Sequence, residues 1–209
     1  APQVEARKLI ADQHRGLFGS DAAVIKACFD LVAAYDKTEG PLWIAHKGFE
    51  RGKGGTEKTP PNDIHWTIYG LMQAIMDRVY TATNVARFPE LLNGFKFGSS
   101  SNFPGAVAAP ADPRAVHRVK INAGCPKPFK HEIMHQDVPA RRPTGTYLAP
   151  GSLATVTVPP SLAGKGYAVR IGTHSWDFSN KPRVLRLHRV SLVYPINSTE
   201  TTVASPLGG

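Results

Sequence analysis

Residues 98–114 constrain the chain more than any other stretch. They read Gly-Ser-Ser-Ser-Asn-Phe-Pro-Gly-Ala-Val-Ala-Ala-Pro-Ala-Asp-Pro-Arg. Such a run of Ser, Ala, Gly and Pro sustains neither a helix nor a central strand. It divides the chain into parts with different hydrophobic periods. Upstream, Val24, Ile25, Cys28, Leu31, Val32 and Tyr35 recur at helical spacing behind a Ser20-Asp21 cap. Ile64, Ile68, Leu71, Met72, Ile75 and Val79 do the same after Pro60-Pro61, with Asn62 or Asp63 as cap and Trp66, Tyr69 and Met76 widening the apolar face. Leu9, Ile10, Leu17 and Phe18 predict a shorter first helix ending among Gly16 and Gly19.

Downstream the period falls to two. Thr155-Val156-Thr157-Val158 is a β-branched run stopped by Pro159-Pro160. Tyr167, Val169 and Ile171 alternate, as do Val190, Leu192, Tyr194 and Ile196. Turn signals separate them at Ala149-Pro150-Gly151, Gly164-Lys165-Gly166, Ser179-Asn180-Lys181-Pro182 and Asn197-Ser198. The expected fold class is α+β, an N-terminal helical subdomain followed by an antiparallel, jelly-roll-like β-sandwich. The expected organisation is a helical domain over 1–97, an irregular connection over 98–140 and a β-module over 141–209.

Charge follows the same division. Residues 1–104 carry 12 Lys+Arg against 11 Asp+Glu, whereas residues 105–209 carry 13 against 5, so nearly all of the formal +9 lies in the second half. A basic half points to acidic partners such as sulfated or sialylated glycans. A solvated, Arg-rich strand surface is the favoured reading, because no aromatic-interleaved recognition motif accompanies the charge. For the same reason nucleic acid is not an expected partner. No apolar run reaches the length of a membrane span. Cys28 and Cys125 can pair in an oxidising compartment, but Cys28 also reads as a buried thiol on a helix face, and both readings stay open. The charged, Gly-rich stretch 47–61 lacks phosphate-loop spacing and reads as a surface loop.

His131-Glu132-Ile133-Met134-His135 is a literal H-E-x-x-H. On a helix its two His can share a zinc ion while Glu132 acts as general base. The context opposes this. Pro126 and Pro128 precede the pattern and Pro139 and Pro143 follow it, leaving room for about two helical turns. No third ligand is fixed, although His174, His188, Asp137 and Asp177 are conceivable. His131, Glu132 and His135 are therefore weak metal candidates, and no catalytic residue is assigned.

Arg141-Arg142-Pro143-Thr144-Gly145-Thr146-Tyr147-Leu148-Ala149-Pro150-Gly151, Val156-Thr157-Val158-Pro159, Tyr167 to Asp177 and Ser205-Pro206-Leu207-Gly208-Gly209 together resemble one family. They look like the β-sandwich module that precedes the catalytic domain of enhancin-like zinc metallopeptidases, closest to the bacterial immunomodulating metalloprotease branch. The specific features are a Thr-Gly-x-Tyr-x-x-Pro-Gly turn, an Ile-Gly-x-His strand end and the terminal Gly-Gly. The likeness spans about residues 140–209. In that family the zinc helix carries H-E-x-G-H and follows the Gly-Gly, so His131–His135 does not inherit the catalytic role. The resemblance implies a secreted, non-catalytic N-terminal portion of a peptidase that cuts O-glycosylated proteins. Zinc would belong to the catalytic domain and no cofactor to this chain. The implied partners are that catalytic domain and a glycoprotein or acidic glycan. Trp176 and His174 could stack on a sugar, and Arg170 and Arg186, with Arg183 and Arg189 beside them, could meet sialic acid or sulfate. Two other functions compete: a stand-alone glycan- or polyanion-binding module, and a zinc hydrolase using His131, Glu132 and His135.

Overall fold

In the computed structural model, residues 2–12, 16–42, 63–124, 139–179 and 186–209 are described. The 47–61 stretch, Asn62, Cys125, the His131–His135 pattern and Arg183 lie outside them. Helix α1 spans Pro2–Asp12, α2 Ala22–Thr38 and α3 Asp63–Ala74, and α3 runs on as a wider π turn over Ile75–Val79. Two short helices come next, α4 at Ala82–Arg87 and α5 at Pro89–Leu92.

Asp21 caps α2 as its position before the apolar stripe demands. Its carboxylate accepts from the Ala23 and Val24 N–H groups at 2.8 and 3.0 Å. The α2 stripe buries Ile25, Cys28, Leu31, Val32 and Tyr35, and α3 with its π turn buries Ile68, Leu71, Met72, Ile75 and Val79. Helix α1 packs on both. It ends at Asp12, earlier than expected. Leu17 and Phe18 sit beyond it in a turn, with Leu17 exposed and Phe18 buried.

The remaining elements are four strands: β1 Leu153–Thr157, β2 Ala168–Ile171, β3 Leu192–Pro195 and β4 Glu200–Ala204. They form two antiparallel ladders, β1 with β4 from Leu153↔Ala204 to Thr157↔Glu200, and β2 with β3 from Ala168↔Pro195 to Ile171↔Leu192. The fold is thus mixed helix and sheet, and its sheets among the described residues are small two-stranded ones. The Tyr194 hydroxyl joins the ladders by donating to the Ala204 carbonyl at 2.6 Å. Helices and strands share one core, in which Ile25, Ile68 and Met72 meet Ile171, Leu192, Tyr194 and Val203.

Ala1–Ala109 together with Leu148–Gly209 form one compact unit, and Pro110–Tyr147 form another. Residues 98–101, expected to begin the connection, make a short 3₁₀ turn that buries Ser99 and Ser100 within the first unit. The Gly98 N–H donates to the Asp36 carboxylate at 2.9 Å, which fastens that turn to α2. Composition marks this stretch as irregular but is silent on its burial.

The C-terminal residues close the first unit. Leu148 and Gly209 exchange both backbone hydrogen bonds, at 2.7 and 3.0 Å. Phe97 N–H donates to Pro206 O at 3.1 Å and Gly151 N–H to Ser205 O at 2.8 Å. Gly208 has φ +72°, and a Cβ there would lie 2.5 Å from the Leu148 carbonyl oxygen. Gly209 has φ +143°, and its Cβ would lie 2.5 Å from the Gly172 nitrogen. Both positions therefore demand glycine on two counts, dihedral and space. We expect Gly208→Ala to cost about 3 kcal/mol, the strained dihedral adding to a main-chain clash. Gly16→Ala, at φ +76° with open space around it, should cost only about 1 kcal/mol. Urea denaturation of the two variants compares them directly, and equal losses would refute the close-packing account.

Candidate functional site

One face of the helical layer carries Tyr69, Gln73 and Asp77, four residues apart. Side chains at that spacing stack along a helix. Here all three engage the segment 186–189, whose backbone lies in no ladder and needs partners. Tyr69 Oη donates to Arg186 O at 2.9 Å. The Gln73 amide answers Arg189 twice, accepting its N–H at 3.0 Å and donating to its carbonyl at 3.1 Å. Gln73 Nε2 also donates to Asp77 Oδ1 at 3.0 Å. Asp77 receives the Arg189 guanidinium at 2.5 and 3.1 Å, and Asp177 receives its other arm at 3.3 Å. These hydrogen bonds, from Asp77 first, hold the Arg189 guanidinium charged well above its ordinary range. Asp177 is held below the usual carboxylate range, first by the Ser179 N–H at 2.7 Å and then by Arg189.

Beside this stripe lies a groove of about 650 Å³, with Trp66, Tyr69, Gln73, Asp77, Arg78 and His188 among its walls. The His188 ring stands edge-on to Tyr69 with centroids 5.2 Å apart. Its Nδ1 is buried without a hydrogen-bond partner among the described residues. Burial, and then the Arg189 charge, push the His188 pKa down.

The sequence-predicted contact residues fall into different environments. Trp176 is 78% exposed, yet its carbonyl accepts from Arg186 Nη2 at 3.2 Å. The exposed His174 lays its ring on Phe103, centroids 4.8 Å apart. Arg186 is only 8% exposed. Its Nη1 donates to the Leu187 and His188 carbonyls at 2.7 and 3.4 Å, and its guanidinium lies 4.2 Å from the Phe178 ring and 5.6 Å from that of Phe103. Arg186 thus joins the stretch after β2 to segment 186–188 from within, meeting Trp176 through its carbonyl and His174 through the Phe103 ring. Arg170 stands on the outer face of β2 opposite Val193. Sequence reading missed Gln73 and Asp77. The only available signal was two polar residues inside an otherwise apolar helical stripe.

Among the described residues no group of three His, Cys, Asp or Glu side chains could hold a metal ion. His131, Glu132 and His135 lie outside those residues. Cys28 is a buried free thiol whose pKa burial raises to about 12, so it is protonated and inert at neutral pH. No helix among the described residues is long and apolar enough to cross a membrane.

Residues 111–209 match the family model described as the N-terminal domain of M60-like peptidases, which bears out the likeness to the N-terminal portion of an enhancin-like peptidase. The match begins upstream of residue 141, where the β-module was expected to start. No curated protein and no solved structure gives a significant match.

Two outcomes test the geometry. Arg186→Met keeps the aliphatic stem but removes the guanidinium, and should cost roughly 2–3 kcal/mol in denaturant unfolding by leaving carbonyls unpartnered. A loss near zero would show that water replaces the guanidinium freely. His188 has its folded pKa below the ordinary value near 6.5. The unfolded chain then binds the proton first as pH falls. Stability is full above about pH 6.5 and declines below it, down to the folded pKa. Melting curves across that window should show the decline in the parent and a flatter profile in His188→Phe. Identical profiles would remove His188 as its source.

Proposed function

We propose, taking residues 111–209 as the N-terminal domain of an M60-like peptidase, that this chain is a secreted, non-catalytic N-terminal portion of a zinc metallopeptidase acting on O-glycosylated proteins. Its task is to position substrate and to pack against the catalytic domain. The family match is the observation that carries this reading. The four short strands are read as part of a larger jelly-roll-like sandwich. Zinc chemistry is assigned to the catalytic domain on the family likeness, and no hydrolytic step is derived through this chain.

Trp176 is the proposed substrate contact. A large exposed indole on a pinned backbone offers apolar area at little ordering cost. The Arg186 hydrogen bond to its carbonyl supplies the pinning. His174, stacked on Phe103, extends the surface, and Arg170 adds charge for an acidic sugar. Arg186 acts from beneath as a positioning residue.

The test uses the full-length peptidase. Trp176→Ala should raise KM for an O-glycoprotein about tenfold with kcat unchanged, equivalent to about 1.4 kcal/mol of contact. KM for an unglycosylated peptide should not move. Equal effects on both substrates would sink the contact role. Metal analysis of the isolated chain should find no stoichiometric zinc. Stoichiometric zinc abolished by His135→Ala would replace this reading with the hydrolase one.

A further inference from the structure

We infer that the Pro110–Tyr147 unit carries a binding site for sulfated or carboxylated polysaccharide, formed by Arg118, Lys120 and Arg141 and organised by Arg142. This site uses neither Trp176 nor a metal, so it stands or falls independently of the peptidase reading.

Pro110–Tyr147 is a compact unit in its own right. All of its described residues from Pro110 to Asn122 are exposed. Its one described carboxylate, Asp112, is already engaged, pairing with Arg114 Nε at 3.5 Å and accepting the Arg114 N–H at 2.9 Å. Arg118, Lys120 and Arg141 have no carboxylate partner among the described residues.

Arg142 differs from them. Its Nε donates to Asn122 O at 3.0 Å, its Nη2 to Gly124 O at 3.1 Å and its Nη1 to Arg141 O at 3.4 Å. One guanidinium thus ties residues 122–124 to residues 141–142. The tie draws Arg141 beside a segment that carries Arg118 and Lys120 just upstream. Asn122 reinforces it, its side-chain oxygen accepting the Gly124 N–H at 3.0 Å. Exposed cations on two segments tied to each other suit a polyanion that lies across both.

Polysaccharide fits better than nucleic acid. Residues 110–124 contain no Phe, Tyr or Trp, so bases would find no stacking platform there. Sulfate and carboxylate groups need only charge and hydrogen-bond donors, which Arg and Lys supply.

The whole chain would be titrated with a heparin oligosaccharide, its desulfated counterpart and a single-stranded oligodeoxynucleotide of matched charge. Heparin should bind, with three charge contacts giving a log–log salt slope of about −2 between about 50 and 200 mM salt. Desulfated heparin should bind at least tenfold more weakly. The combined Arg118→Ala, Lys120→Ala, Arg141→Ala variant should lose tenfold or more while keeping the parent's melting temperature, because all three side chains are exposed. Arg142→Gln should lose part of the affinity, and Trp176→Ala none. Unchanged heparin affinity in the triple variant, or equal binding of the desulfated form, would overturn the site. Tighter binding of the oligodeoxynucleotide would overturn it in favour of nucleic acid.

Discussion

The clasp between the Gln73 amide and the Arg189 backbone is the constraint on which the first unit depends. Segment 186–190 carries Leu187 and Val190 into the core, but its peptide groups at 186 and 189 lie in no ladder. Burying that backbone unpaired would cost about 1–3 kcal/mol per group. The helix face supplies the partners, as Tyr69, Gln73 and Asp77 take the Arg186 carbonyl, the Arg189 peptide and the Arg189 side chain. Because one helix supplies all three, the segment can neither slide nor rotate without breaking several bonds at once. The same clasp fixes the stretch 176–178 beside it. Arg189 reaches Asp177, the Phe178 N–H donates to His188 O at 3.2 Å, and Trp176 is thereby held at the surface.

A second closure sits at the C-terminal end. Fragments that look like separate motif pieces in the sequence meet there in space. Leu148, from the Tyr-x-x-Pro-Gly turn, pairs with Gly209. Gly209 lies against Gly172, from the Ile-Gly-x-His strand end. Pro206 and Ser205 carbonyls take the N–H groups of Phe97 and Gly151. The residues that make the chain recognisable are therefore mainly those that let backbones approach closely. They identify a fold and say little about a ligand.

Periodicity made the helical layer legible, because burial of one stripe is a local property: the α2 and α3 faces and the Asp21 cap stand where the spacing puts them. A β-branched run located β1, and alternation located β2 and β3, within about two residues for the same reason. Which strand pairs with which is a long-range matter, and spacing carries no information on it. The exposure of the candidate contact residues was half legible. Trp176 and Arg186 were both read as surface candidates from one basic, aromatic stretch, yet one is exposed and the other buried. Residue type would predict the reverse. Arg186 escapes the rule because backbone carbonyls and two aromatic rings receive its guanidinium, and neither is visible from its neighbours in sequence. The H-E-x-x-H spacing was legible as a pattern, and its residues lie outside those described.

The basic second half holds arginines of two kinds. Arg142, Arg186 and Arg189 have guanidiniums directed at carbonyls or carboxylates of the chain itself. They act as planar multi-donor clamps where backbone is unpaired, a role that lysine's single ammonium cannot fill. Among the described residues, the side chains of Arg118, Lys120 and Arg141 make no such bonds. A net charge summed over all of them overstates the attraction to an acidic partner near the clamps, where fixed acceptors already neutralise or orient the cation. In the Pro110–Tyr147 unit, by contrast, Arg118, Lys120 and Arg141 are exposed and the one described carboxylate is engaged by Arg114. An acidic polysaccharide, the partner inferred for that unit, would be drawn by this second group, and Arg142 ties the segment after Arg118 and Lys120 to the one that carries Arg141.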